Sequence, residues 1–245
     1  MIERRFIFDA ARKLGAKFGD SADVATMDRA IDEALGLAPS PSKLGDAPAF
    51  YAAVRSFAGP LMQSQVEGFS ALLSAMGAAR WPVAWTAYGL ATAWHETAYT
   101  MQPVRERGGD TYLFRMYDIR GARPKKAREL GNMQPGDGVR FAGRGHVQLT
   151  GRRNYEAAGE ALGLDLTGNP DLALQCDVSC RILIWGMENG AFTGKRLSDY
   201  LPIDGAASHE AFKAARRIIN GTDRADDIAR LARRFQAALQ AGGWA

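Results

Sequence analysis

The chain has 245 residues, 47% hydrophobic and 24% charged. That is apolar enough to bury one large core, or a core with an appendage, and too apolar for a disordered protein. No run of about 18 apolar residues marks a membrane span, and the net charge of +4 suits either an anionic partner or ordinary solubilising surface charge. Nucleic acid is not that expected partner, because helix-turn-helix, zinc-finger and aromatic RNA-binding signatures are all missing.

The opening MIERRFIFDAARKLG is broken by Asp9 and Arg12 before a signal-peptide core can form, so synthesis in the cytoplasm without a signal peptide is expected. Two early stretches, Phe8 to Gly36 and Tyr51 to Gly77, each read as helix, glycine-containing turn and second helix, with Ser21 and Ser64 as candidate caps. Between them LAPSPSKLGDAPA has the composition of a linker. The expected organisation is therefore an N-terminal helical hairpin in residues 1–45, either an appendage or part of one body, followed by a main domain in residues 46–245.

WPVAWTAYGLATAWHE, from Trp81, places Pro82 at a first helical turn and apolar residues around nearly the whole circumference, which predicts a central buried helix. Glu96 ends that helix. There the negative end of the helix dipole, with desolvation by Trp94 and Tyr99, would favour a held proton; the competing expectation is an exposed residue or an ion pair with Arg105, Arg107 or Arg115. Further on, GDGVRFAGRGHVQLTGRRNY contains β-prone pieces between glycines and predicts a small hairpin around Val139 to Gln148, with Gln148, Thr150 and Asn154 spaced along a groove. Cys176 and Cys180 lie four apart on a helix and read as reduced packing residues. In the last segment, Ile228, Leu231, Phe235 and Leu239 recur at helical spacing as the face of a closing helix, with membrane contact of this arginine-rich helix as the alternative.

The HET of His95 to Thr97, followed by GRGHVQLTGRRNY, resembles the paired motifs of glycoside hydrolase family 19, the chitinase and phage or prophage endolysin family. LMQSQVEGFSALL, MQPVRERGG, RMYD, GNPDLAL, WGMENGAFTGKRLSDYL and RRIINGTDRADDIARLARRF extend the likeness over roughly Phe50 to Leu239. The resemblance implies an all-α, lysozyme-like, two-lobed helical domain with a small β-hairpin. It implies Glu96 as general acid, Glu106 as catalytic base, and Thr150 holding the attacking water. Gln148, Asn154 and Asn220 would bind sugar, with His95 and Tyr155 completing the substrate-binding set. Asp110 and Asp118 stay open as alternative bases beside the Gly108–Gly109 turn. The arginine that the family carries after its INGG motif has no direct counterpart here, since Asp226, Asp227 and Ile228 stand there, with Arg224 and Arg230 as candidate substitutes.

Such an enzyme cleaves β-1,4 bonds between N-acetylated amino sugars. Inversion needs the acid and base about 6.5–9.5 Å apart, with room for water between them. The implied substrate and partner is bacterial peptidoglycan, reached through a separate pore or after lysis, with residues 1–45 as a candidate wall-targeting element. A chitinase or a lytic transglycosylase, which uses one acid and no activated water, is the alternative. A monomer without cofactor is expected. His95, His146 and Glu96 are the conceivable ligands of a metal-dependent amidase, but HExxH and a Cys/His cluster are lacking, so no metal is expected.

Overall fold

Helix α3, Val83–Glu96, runs through the hydrophobic core, and every residue from Ala84 to Trp94 is buried. The computed structural model describes residues 43–245; the hairpin expected at Phe8 to Gly36 lies outside the described residues. Two helices precede α3. Helix α1, Ala47–Ala58, starts where the Asp46 carboxylate accepts the Ala49 N–H at 2.9 Å, and stops at Gly59 with φ 79°. Helix α2, Gln63–Ala78, follows. Its start is fastened by the Gln65 side chain, which accepts the Met62 N–H at 2.8 Å, so Ser64 is not the cap.

After α3 come strand β1, Val104–Arg105, and the short helices α4, Gly109–Tyr117, α5, Pro124–Glu129, and α6, Asp137–Arg140. Strand β2, Arg144–Gly145, leads to α7, Arg152–Leu162, and α8, Cys176–Asn189. Helix α9, His209–Ala215, continues as a 3-10 turn over Arg216–Ile218, and α10, Ala225–Ala241, closes the chain. The mostly helical architecture with a small two-stranded sheet that the resemblance implied is the one observed.

Helix α10 packs most extensively on α3 and also on α1 and α9. Phe235 contributes its ring to a cluster with Phe57, Phe69 and Trp94, with centroids 5.3–6.1 Å apart, the offset and edge-on geometry favoured by aromatic quadrupoles. Ile228, Phe235 and Leu239 are fully buried, so the apolar face of the last helix closes the core. Among the described residues no helix is long and apolar enough to cross a membrane. Cys176 and Cys180 are free thiols on α8, and Cys180 is buried in the core.

The sheet differs from the expected hairpin. Val139 and Arg140 fall in α6, and β2 pairs antiparallel with the distant β1, Val104 opposite Gly145 and Arg105 opposite Arg144. Only one bridge, Arg144 to Leu149, remains of the local turn-back. Asp118 is the reason. Fully buried at the end of α4, its carboxylate accepts the N–H groups of Arg120, Gly136 and Gly138 at 3.0, 2.7 and 3.3 Å. This winds residues 136–140 into a helical turn, and a side chain at Gly138 would come within 2.4 Å of the Asp118 backbone.

Removing this carboxylate strands buried donors. We expect Asp118→Ala to lower unfolding free energy by about 3 kcal/mol, measured by urea denaturation, because each orphaned buried group costs about 1–3 kcal/mol.

Candidate active site

Three polar side chains converge over a glycine. A Cβ built on Gly143 would lie 2.9 Å from Gln148 Oε1, 3.1 Å from Glu106 Oε2 and 3.1 Å from Thr150 Oγ1. The bare backbone of the GRG turn therefore leaves room for these groups to approach one another. Glu106 follows β1, and its N–H donates to the Gly143 carbonyl at 2.8 Å, which extends the strand pairing to the site. Its carboxylate accepts the Tyr117 hydroxyl at 2.7 Å on one oxygen and the Gly143 N–H at 3.2 Å on the other. Burial and the Glu106 hydrogen bond push the Tyr117 phenol well above its usual range, so Tyr117 is the donor. Each carboxylate oxygen keeps acceptor capacity for a further partner such as water.

Gln148 has φ 53°, and its amide N–H groups donate to the carbonyls of Val104 at 2.8 Å and Gly145 at 3.1 Å. These bonds leave its Oε1 turned toward Gly143. Thr150 donates its hydroxyl to the Gln148 carbonyl at 2.8 Å, and Asn154 donates to the Thr150 carbonyl at 2.7 Å. Glu106, Gln148, Thr150 and Asn154 thus form one connected constellation.

Glu96 stands at the last position of α3 with a different partner. Arg216 Nη1 donates to Glu96 Oε1 at 3.0 Å, and the arginine side chain is 1% exposed against 19% for the glutamate. Arg216 Nε donates to the Asp223 carbonyl at 3.0 Å, and Tyr88, inside α3, donates to the Ala215 carbonyl at 2.8 Å. A buried cation, rather than an apolar wall, is what faces the acid candidate. Trp94 and Tyr99 pack against each other, at 5.5 Å, and Trp94 stacks on Phe69. His95 is half-buried, and desolvation holds its pKa below the usual value against the opposing pull of Glu96. Asn220 is exposed in the turn after Arg216 and donates its backbone N–H to the Arg216 carbonyl at 3.0 Å.

Several expected roles move. Tyr155 is fully buried, donates to the Ala142 carbonyl at 2.9 Å, accepts from Arg144 at 3.1 Å, and is pushed up to about 12 by burial, so it packs beneath the site and cannot meet a glycan. Asp118 spends its carboxylate on backbone groups. Asp110 is 71% exposed and pairs with Arg105 at 3.4 Å. Arg105 is therefore bonded to Asp110, and the cation on Glu96 comes from the other end of the chain. Arg224 pairs with Asp227, and Arg230 with Asp226 and Asp227, so neither is the arginine that holds Glu96.

Arg216 and Tyr117 were the residues sequence reasoning missed. The available signal for Arg216 was a cation inside the apolar pattern Phe212, Ala215, Ile218; for Tyr117 it was a hydroxyl-bearing aromatic at the end of a short helix, within the RMYD segment.

Among the described residues no group of three or more His, Cys, Asp or Glu side chains is placed to hold a metal ion. His146 is fully buried, with Nδ1 2.8 Å from the Ser179 hydroxyl and Nε2 3.3 Å from the Met101 carbonyl, so both ring nitrogens are occupied within the protein. The carbonyl demands a donor, which makes Nε2 the protonated nitrogen and Nδ1 the acceptor. Met101 itself lies where only a glycine tolerates it, since a Cβ on Gly68 of α2 would be 2.0 Å from the Met101 oxygen. His146 therefore anchors the β2 turn to the loop that leaves Glu96.

Burial lowers the His146 pKa from 6.5 to about 4. The unfolded chain binds the extra proton between these values, so the stabilisation is complete above pH 6.5 and is lost as pH falls toward 4. The shift corresponds to about 3 kcal/mol. In urea melts at pH 7 and pH 4.5, His146→Gln should be less stable than the parent at pH 7 and should lose less stability on acidification.

The sequence model of glycoside hydrolase family 19, described as chitinase class I, matches residues 48–190. Chitinase 8 of Oryza sativa subsp. japonica is 59% identical over 46 residues, 18% of each chain. The acidic 27 kDa endochitinase of Solanum lycopersicum is 53% identical over 49 residues, 20% of each chain. The matched stretch thus spans about a fifth of the length of these curated relatives. The crystal structure of a mutant of chitinase C superposes with a TM-score of 0.51 at 22% identity, covering 79% of this chain and 76% of that one, a likeness of fold.

Proposed function

The chain belongs to glycoside hydrolase family 19, and from that premise we propose that it hydrolyses β-1,4 bonds between N-acetylated amino sugars with inversion, Glu96 acting as acid and Glu106 as base. The observation that carries this reading is the convergence of Glu106, Gln148 and Thr150 over Gly143. A water accepted by the Glu106 carboxylate and steadied at Thr150 would lose a proton to Glu106 as it attacks the anomeric carbon. Glu96 would give its proton to the leaving oxygen from the other side of the sugar. The charge then left on Glu96 falls beside the Arg216 guanidinium, 3.0 Å away, in a setting with little water to screen it. Gln148 Oε1, Asn154 and Asn220 supply polar groups for acetamido and hydroxyl substituents of the glycan.

Glu96→Gln keeps the shape and the arginine contact but has no proton to give, so turnover should fall about a hundredfold or more, the usual contribution of general acid catalysis. Glu106→Gln should fall steeply as well, whereas Asp110→Asn should change little. Products ending in reducing sugars accompany water attack. Anhydro-muramic ends from a Glu106→Gln protein that stays active would replace the hydrolase by a transglycosylase.

Within this reading peptidoglycan is the preferred polymer. The support is the likeness of HET, MQPVRERGG and the GRG segment to endolysins, together with a net charge of +4 suited to an anionic wall. The wall would be reached through a separate pore or after lysis, with residues 1–45 contributing to wall attachment. More reducing sugar is expected from purified peptidoglycan than from colloidal chitin, and weaker attachment to whole walls when residues 1–41 are deleted; release from chitin alone would reverse the substrate assignment.

A further inference from the structure

Glu106 is held by both of its oxygens, and the two bonds come from different parts of the fold. Tyr117, the last residue of α4, donates its hydroxyl to Oε1 at 2.7 Å, and the Gly143 N–H, just before β2, donates to Oε2 at 3.2 Å. Among the described residues Tyr117 is the one side chain bonded to Glu106. The last torsion of a glutamate is broad, so a carboxylate bonded on one oxygen swings, whereas one bonded on both keeps a fixed plane. The split also decides which oxygen faces the site. Oε2 lies 3.1 Å from the point, where a Cβ on Gly143 would stand, that Gln148 Oε1 and Thr150 Oγ1 approach at 2.9 and 3.1 Å. Oε1 is turned to Tyr117 instead.

Tyr117 is itself fastened from several sides. Its carbonyl accepts Asn132 Nδ2 at 3.0 Å, and Asn132, fully buried, uses its Oδ1 to accept the Arg152 N–H at 2.8 Å. One buried amide thus ties the end of α4 to the start of α7, two residues beyond Thr150. The next residue, Asp118, is fully buried with its carboxylate on three backbone N–H groups, and a Cβ on Gly138 would lie 2.7 Å from the Tyr117 carbonyl carbon. The hydroxyl therefore reaches Glu106 from a fixed backbone.

We infer that Tyr117 is a positioning residue for the base, holding Oε1 of Glu106 so that Oε2 faces the attacking water beside Gln148 and Thr150. The inference rests on the glycosidase reading. In that step the water gives one proton to Oε2 while its oxygen bonds to the anomeric carbon, and the Glu96 proton goes to the leaving oxygen. Tyr117 keeps its own proton throughout, since burial and the Glu106 hydrogen bond push the phenol well above its usual range. Its contribution is orientation, and misplacing a reacting group by about 1 Å can cost about a hundredfold in rate.

The test reads Tyr117 through Glu106. Tyr117→Phe keeps the ring and deletes the donor. Turnover of peptidoglycan glycan strands and of a β-1,4 hexamer of N-acetylglucosamine is measured for the parent, Tyr117→Phe, Glu106→Gln and the double variant, all below the lowest Tm of the four. Expected is a kcat about tenfold or more lower for Tyr117→Phe with KM kept, because the lost bond acts on the base and touches no sugar. In the Glu106→Gln background the same change should cost less than about twofold, since the group that Tyr117 orients is no longer a base. An equal loss in both backgrounds would reduce Tyr117 to a support of the fold, and so would a raised KM with kcat kept. Parental kinetics of Tyr117→Phe beside an impaired Glu106→Gln would also overturn the role while leaving the glycosidase reading intact. Parental turnover of Glu106→Gln would instead overturn the base assignment on which the inference stands.

Discussion

A guanidinium taken out of water governs the surroundings of Glu96. Arg216 is 1% exposed, and a buried cation is tolerated only with a carboxylate or several acceptors around it. Its requirements are met by Glu96 from the end of α3 and by the Asp223 carbonyl from the turn before α10. Satisfying one side chain therefore fastens the C-terminal third of the chain to the central helix. Tyr88 reinforces the same seam from inside α3 through the Ala215 carbonyl. The large contact between α3 and α10, built on Phe235 and its aromatic neighbours, holds the same two parts of the chain together.

The surroundings of Glu106 obey a different constraint, close backbone approach. Glu106 reaches its place because β1 pairs with β2 and because Gly143 has no side chain to keep Gln148 and Thr150 away. Asp118 and Arg144 support this region from below. The first collects backbone N–H groups; the second, 5% exposed, donates to the Arg140 and Ala142 carbonyls and to Tyr155 and pairs with Asp171. The two regions meet through Met101, whose backbone lies on Gly68 and whose carbonyl takes the His146 ring. Rigid elements and buried hydrogen bonds thus stand behind each candidate group, as preorganised chemistry requires.

Much of this was legible in local pattern. The all-round apolar run from Trp81 described a central buried helix, and the apolar stripe of Ile228, Phe235 and Leu239 described a helix closing a core. Both are observed because burial follows helical periodicity wherever tertiary packing agrees with it. The polar series Gln148, Thr150, Asn154 was also readable, since these residues are close enough in sequence to be linked by their own short hydrogen bonds. Tyr155 misled for a related reason: it adjoins Asn154, but one residue of helical rotation turns it from the groove into the core.

By itself, the sequence determined the helical class, the central and closing helices, the membership of a glycosidase family and the identity of Glu96 and Glu106 as the carboxylates worth attention. Only the tertiary structure decided which cation meets Glu96, which strand pairs with Arg144–Gly145, and what Asp118 does with its charge. Periodicity and motif are properties of neighbours in the chain. The Arg216–Glu96 contact spans 120 positions and the Glu106–Gly143 contact 37. Ion pairing and backbone approach at such separations depend on how buried surfaces fit together, and among many arginines and glycines of equal local character packing alone selects the one that serves.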